Sequence, residues 1–137
     1  MTDTNTRGEV TIDLDATYVM RPSYEAIEAI ETNTGRGIVA LVNLAAQGEM
    51  TLKQAAIVVT ECIRAWGAQQ MLAGHDTPEA RSAQHAKPDR VAKLIHDNGL
   101  VRATERCAIV LMAAATGGVT NAGEWKPATE MQTPDAG

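Results

Sequence analysis

Three histidines, His75, His85 and His96, are the residues of this 137-residue chain that first suggest a chemical site. Imidazole nitrogens bind zinc when they recur at short, regular spacings together with cysteine or carboxylate ligands. Here the histidines are ten and eleven residues apart, and no cysteine or carboxylate pair completes a ligand set. We therefore interpret them as surface residues and predict neither a metal site nor a cofactor.

The hydroxyl and carboxylate side chains form no catalytic set either. Ser23 and Ser82 are the two serines, and neither lies in a G-x-S-x-G nucleophile motif. Glu25, Glu28 and Glu31 recur every three residues, a spacing typical of the solvated face of a helix. The glycines do not assemble into a phosphate-binding loop. The sequence predicts a protein that is not an enzyme and has no catalytic residues.

Composition argues against several classes of partner. The formal net charge of −5 does not suit a nucleic-acid-binding protein, which needs a basic surface to displace counterions from phosphates. Cys62 and Cys107 lie in apolar helical patterns, where a thiol behaves as a small hydrophobic group. The longest apolar run, residues 107–115, is too short to span a membrane. These features predict a cytoplasmic protein that binds neither nucleic acid nor membrane.

The N-terminal part of the chain is predicted to form a hairpin and a capped helix. The first strand follows from alternating apolar residues, Val10, Ile12 and Leu14. Residues 13–16 can turn the chain, and residues 17–21 can return as the second strand. Pro22 ends the hairpin because it cannot donate a hydrogen bond to a sheet. Ser23 then suits the N-cap of the first helix.

Further helices follow from apolar periodicity and capping signals. Thr51 and Gln54 form a capping-box pattern at the start of a long middle helix. One apolar stripe is predicted along it: Leu52, Ala55, Val59, Cys62 and Trp66. Residues 74–88 read as a polar loop or a marginal helical segment. The final helix is predicted to carry one stripe on one face, with further apolar residues beside it in its second half; the stripe is Val101, Thr104, Ala108, Leu111 and Ala115.

These elements predict a mainly helical α+β fold in which an N-terminal β-hairpin packs on a bundle of about five helices. Residues 1–7 are expected to be a flexible N-terminus, and residues 8–118 a single domain. Residues 119–137 carry few apolar anchors and are expected to form a disordered C-terminal tail.

Several motifs of this chain occur in the same order in a known family. They are the GEVxxxL hairpin from Gly8 to Leu14, the RPS turn from Arg21 to Ser23, the AIxxIE helix from Ala26 to Glu31, and the segment from Thr34 to Leu41. In this respect residues 8–118 resemble the tail-assembly proteins of gene transfer agents and prophages, a family similar to tail assembly chaperones. Residues 74–88 and the tail after Gly118 depart from the family pattern.

The resemblance implies a tail assembly chaperone that binds the tape-measure protein during tail morphogenesis. It implies a location in the bacterial cytoplasm and absence from the mature particle, with tail-tube subunits or a second copy of the chain as further partners. The alternative is a structural tail-tube or connector component of the particle. The short hairpin speaks against this alternative, because tube subunits need long sheets to join their neighbours.

Partner binding is predicted at two places. Ile109, Val110 and Met112 make the second half of the final helix apolar nearly all round, so they either form a surface for an amphipathic partner or are buried in the core. Trp125 lies in the predicted tail beside Lys126 and could serve as a short docking motif, or could have no role.

Overall fold

The computed structural model describes residues 10–124, which begin with a two-stranded hairpin. Strand β1 (Val10–Asp13) pairs antiparallel with β2 (Thr17–Met20), and Ile12 lies opposite Tyr18. Val10 and Ile12 point into the core, because successive side chains of a strand alternate between its two faces. The predicted hairpin and its buried face are therefore confirmed.

Six helices follow within the described residues. They are α1 (Tyr24–Thr34), α2 (Ile38–Ala46), α3 (Leu52–Leu72), α4 (Pro78–Gln84), α5 (Pro88–Asn98) and α6 (Leu100–Ala115). The fold class is mainly helical α+β, as predicted, with six helices rather than about five.

Local capping chemistry fixes where the main helices begin. The Ser23 hydroxyl accepts a hydrogen bond from the Ala26 amide at 3.1 Å at the start of α1. At the start of α3 the Thr51 hydroxyl accepts from the Gln54 amide at 3.0 Å, and the Gln54 side chain accepts from the Thr51 amide at 2.9 Å. Each contact satisfies a backbone donor that the helix itself leaves without a partner. Both predicted caps are confirmed.

Helix α3 is the centre of the core. It packs against α4, α5, α1, β2 and α6. Ala55, Val59 and Cys62 of the predicted stripe are fully buried, while Leu52 and Trp66 are half-buried. Every residue from Ala55 to Thr60 is buried, because α3 has neighbours on more than one side.

The segment predicted as a polar loop or marginal helix contains α4. The Thr77 hydroxyl accepts from the Ala80 amide at 3.1 Å, and Pro78 occupies the first turn, where its missing N–H costs nothing. The helix buries Ala80 and Ala83 against its neighbours. It lacks large apolar residues, and the small side chains instead allow it to lie close to α3.

The core face of α6 differs from the predicted stripe. The buried residues are Ala103, Cys107, Val110, Leu111 and Ala113. Of the predicted stripe only Leu111 is among them, and Val101 is highly exposed. The helix is rotated because α2, α3 and β1 pack on this other side of it.

Packing continues beyond Gly118, the predicted end of the domain. The Tyr24 amide at the start of α1 donates to the Asn121 carbonyl at 2.8 Å. Gly123 lies against Arg21, and an Arg21 guanidinium nitrogen is 4.0 Å from a Glu124 carboxylate oxygen. Residues 119–124 therefore cover the linker between β2 and α1. The flexible N-terminus predicted for residues 1–7, and residues 125–137, lie outside the described residues.

Candidate assembly surfaces

The structure separates the residues predicted to bind a partner. Ile109 is 43% exposed and Met112 is 47% exposed, whereas Val110 is fully buried. Val110 therefore belongs to the core, because the side of α6 on which it lies packs against neighbouring elements. Trp125 lies outside the described residues. Partner binding by Ile109 and Met112 stays a prediction.

Ile109 and Met112 belong to a wider apolar surface formed by two adjacent helices. Helices α2 and α6 pack directly against each other, so their outer sides adjoin. We define the α2–α6 face by the exposed apolar residues of the two helices, which are Val39, Ala40, Ala46, Val101, Ile109, Met112 and Ala115. Val39 and Val101 are among the most exposed large apolar side chains in the described part of the chain.

The α2–α6 face carries little charge. Helix α2 contains no charged residue, and residues 107–115 of α6 contain none either. Arg102 and Glu105 are exposed between Val101 and Ile109, while Arg106 is turned away and donates to the Thr11 carbonyl of β1 at 2.7 Å. Depletion of charged residues distinguishes the centre of a protein interface from ordinary surface. This face therefore has the composition of a contact surface.

A second apolar feature is an open groove between β2, α3 and α4. It has a volume of about 500 Å³. We call it the β2–α4 groove and define it by Tyr18, Val19, Ile63, Trp66, Pro78 and Ser82. Glu79 is the one charged residue among those that line it in the described structure. Its size falls within the range of roughly 300–1,000 Å³ that is typical of binding pockets.

The Tyr18 ring is held in place at the edge of the groove. Its hydroxyl donates to a carboxylate oxygen of Asp15 at 2.6 Å, and Arg90 donates to the other oxygen of Asp15 at 3.0 Å. Partial burial raises the pKa of Tyr18, and the hydrogen bond to Asp15 raises it further. These contacts fix one aromatic wall of the groove before any partner arrives.

Four further titratable groups, His75, Glu31, Cys62 and Cys107, have contacts or burial that bear on a possible site. His75 lies 3.1 Å from the Gln70 amide oxygen, and the described residues contain no cluster that could hold a metal ion. The Glu31 carboxylate accepts from the Ile38 amide at 3.0 Å and so caps the start of α2, a role that its sequence spacing did not reveal. Burial raises the pKa of Cys107 to about 12 and that of Cys62 well above its usual range. Both thiols are therefore protonated and inert at neutral pH.

A comparison with protein families decides which class of function fits this arrangement. The family model described as phage tail tube protein, GTA-gp10, matches residues 7–117. The chain belongs to this family. Searches of curated proteins and of solved structures gave no match. The match covers the hairpin and all six helices, including both apolar surfaces.

Membership of the phage tail tube family confirms the predicted relation to gene transfer agent and phage tails, and it corrects the predicted role. The interpretation as a tail assembly chaperone is wrong, because the family is described as a tail tube protein. The alternative, a structural tail component, agrees with the match. Association with other tail proteins and with further copies of the chain follows from such a family. Among the described helices, none is long and apolar enough to cross a membrane.

Proposed function

We propose that this chain is a structural, non-enzymatic component of the tail of a phage-like or gene transfer agent particle, in the tail tube or in a connector next to it. The observation that carries the proposal is the family match over residues 7–117. The two charge-poor surfaces support it, because a structural subunit must bury apolar area against its neighbours.

The hairpin is not suited to join subunits by extending a sheet. Its strands are four residues long, which is short for an edge that recruits another chain. Arg106 donates a hydrogen bond to the carbonyl of Thr11 in β1. The residue after β2, Arg21, donates its amide to the Cys62 carbonyl of α3 at 3.0 Å. Subunit contacts are therefore better supplied by the helices than by the strands.

Helical contacts also remove the objection that a tube needs long sheets. Val101 and Val39 expose apolar surface on two packed helices, and Trp66 lines a groove elsewhere on the chain. Burying such surface stabilises a contact by about 25 cal/mol of free energy per Å² of apolar area. A chain that repeats these contacts can assemble without a continuous sheet.

Deletion and complementation in the producing bacterium test this role. We expect the deletion to abolish complete tails in electron micrographs, and a plasmid copy of the chain to restore them. A plasmid copy that carries Leu72→Lys serves as the control and should also restore tails, because Leu72 is 81% exposed and belongs to neither apolar surface. Normal tails in the deletion strain would contradict the proposal.

A further inference from the structure

We propose that residues 125–137 of this chain dock in the β2–α4 groove of the same molecule, with Trp125 against its apolar walls. The segment itself lies outside the described residues, whereas the groove is formed by described ones. The inference goes beyond the proposed structural role and does not depend on it. A partner that uses the groove must then displace the segment.

The last described residues lie beside the strand that borders the groove. Gly123 lies against Arg21, and a Glu124 carboxylate oxygen is 4.0 Å from an Arg21 guanidinium nitrogen. The Glu124 carbonyl accepts a hydrogen bond from the Thr120 amide at 2.7 Å, which holds the end of this turn in place. Arg21 follows directly after β2, and Val19 of that strand lines the groove two positions away, a distance of about 7 Å. The chain therefore leaves Glu124 next to the groove.

Length and polarity favour residues 125–137 over the N-terminal residues as the occupant. A segment of this length spans about 40 Å when it is extended, which is several times the distance to the groove. Residues 1–9 also begin near β2, since Val10 pairs with Met20. They are polar or glycine apart from Met1, and they enter β1, of which no described residue lines the groove. An apolar groove therefore suits the segment after Glu124.

The first residue of the segment matches the side chains of the groove. Trp125 directly follows the last described residue, and Tyr18, Trp66 and Pro78 supply ring surfaces to a groove of about 500 Å³. Aromatic side chains bury a large apolar area and pair favourably with other rings. Trp66 is half-buried, so a ring docked on it removes further apolar surface from water. Trp125 is therefore the anchor of the contact.

Charges of opposite sign accompany this apolar match. Glu79 is the one charged residue among those that line the groove in the described structure, and Lys126 directly follows Trp125. Lys87 lines a smaller cleft that adjoins the groove, and Glu130 lies further along the segment. Both signs of charge therefore have a counterpart, which favours the docked arrangement over one that places like charges together.

Tryptophan fluorescence tests the docking, because the chain contains two tryptophans. In a full-length Trp66→Phe chain, Trp125 is the single tryptophan, and acrylamide quenching of its emission measures its contact with water. Ser82→Arg in this background places a long charged side chain in the groove at an exposed position of α4. Leu72→Arg is the matched control, because Leu72 is 81% exposed and lies outside the groove. Thermal melts show whether each variant is folded.

We expect acrylamide to quench Trp125 several-fold less in the folded Trp66→Phe chain than in the same chain unfolded in urea. Docked molecules should exceed undocked ones by about tenfold, which corresponds to a free energy of about 1.4 kcal/mol. Ser82→Arg should raise quenching toward the value of the unfolded chain, and Leu72→Arg should leave it unchanged. The protection should not depend on protein concentration, because the segment and the groove belong to one molecule.

Three results would overturn the inference. The first is a Trp125 that acrylamide quenches equally in the folded and the unfolded chain. The second is a folded Ser82→Arg chain in which quenching rises no more than it does in Leu72→Arg, since Trp125 would then be protected outside the groove. The third is protection that appears only as protein concentration rises, which would place the segment in the groove of a second copy.

Amide hydrogen exchange gives a second test that keeps Trp66 and applies if Trp66→Phe does not fold. A docked segment shields the groove from water, so Trp125→Ala in the full-length chain should speed exchange in residues 78–83 of α4, which line one wall. Exchange in α2, which is remote from the groove, should stay the same. Equal rates in residues 78–83 for the two chains would contradict the docking.

Discussion

Gly67 of α3 lies so close to Ala80 of α4 that a Cβ atom on Gly67 would be 2.7 Å from the Ala80 carbonyl oxygen. The same atom would lie 2.5 Å from the backbone amide nitrogen of Gln84. The two helix backbones therefore touch at this glycine. This close approach holds α4 in place and shapes one wall of the β2–α4 groove.

Gly67→Ala should destabilise the fold even though alanine favours helices. The intrinsic gain in helix propensity is about 1 kcal/mol, whereas forcing apart two packed backbones costs about 1–3 kcal/mol. Because backbone atoms cannot rotate away, we expect the packing cost to exceed the gain in helix propensity and the melting temperature to fall. Gly37→Ala is the control, since its Cβ would meet a Glu31 oxygen at an ordinary 3.6 Å. Equal melting temperatures for the two variants would contradict the close packing of α3 and α4.

Val110→Lys and Met112→Lys should separate core from surface on α6. Val110 is fully buried, so an unpaired charge at that position should cost more than about 3 kcal/mol. Met112 is nearly half exposed, and a lysine there can keep its charge in water, so we expect a change within about 0.5 kcal/mol. Urea denaturation followed by circular dichroism measures both values. A native-like midpoint for Val110→Lys would show that the described rotation of α6 is wrong.

Truncation should show that residues 119–124 stabilise the domain. A chain ending at Glu124 retains the hydrogen bond from the Tyr24 amide to Asn121, whereas a chain ending at Gly118 loses it and uncovers Arg21. We expect the shorter chain to be about 1–2 kcal/mol less stable than the longer one. Thermal melts of the two chains test this, and identical melting temperatures would show that the segment adds nothing.

Cys62 and Cys107 should not react with a chromogenic disulfide reagent until the chain unfolds. Both thiols are buried, and burial raises the pKa of Cys107 from 9.0 to about 12. An unfolded thiol ionises first, so the stability contributed by this group is fully present below pH 9 and is lost between pH 9 and about 12. Rapid labelling of the native protein at pH 8 would contradict the burial of these thiols.

Sequence patterns predicted the hairpin and the main caps because these depend on local chemistry. The alternation through Ile12, the hydroxyl of Ser23 and the capping box at Thr51 each act within a few residues. The position of α4 was harder to predict, because its packing depends on Gly67 of another helix and on small alanines rather than on an apolar stripe.

The face of α6 was mispredicted for a related reason. A helix that is apolar nearly all round fits several rotations, and only the positions of α2 and β1 decide that Val110 is inside and Val101 outside. The groove could not be predicted at all, since it forms between Tyr18, Trp66 and Pro78 from three separate elements. No local pattern brings these residues together.

The most direct test of the structural role is quantitative mass spectrometry of purified particles, with the lysate of the same cells as reference. A structural tail component should be retained through purification, in a constant ratio to the other tail proteins and in several copies per particle. We expect such a fixed, multiple copy number. Abundant chain in the lysate together with its absence from finished particles would contradict it.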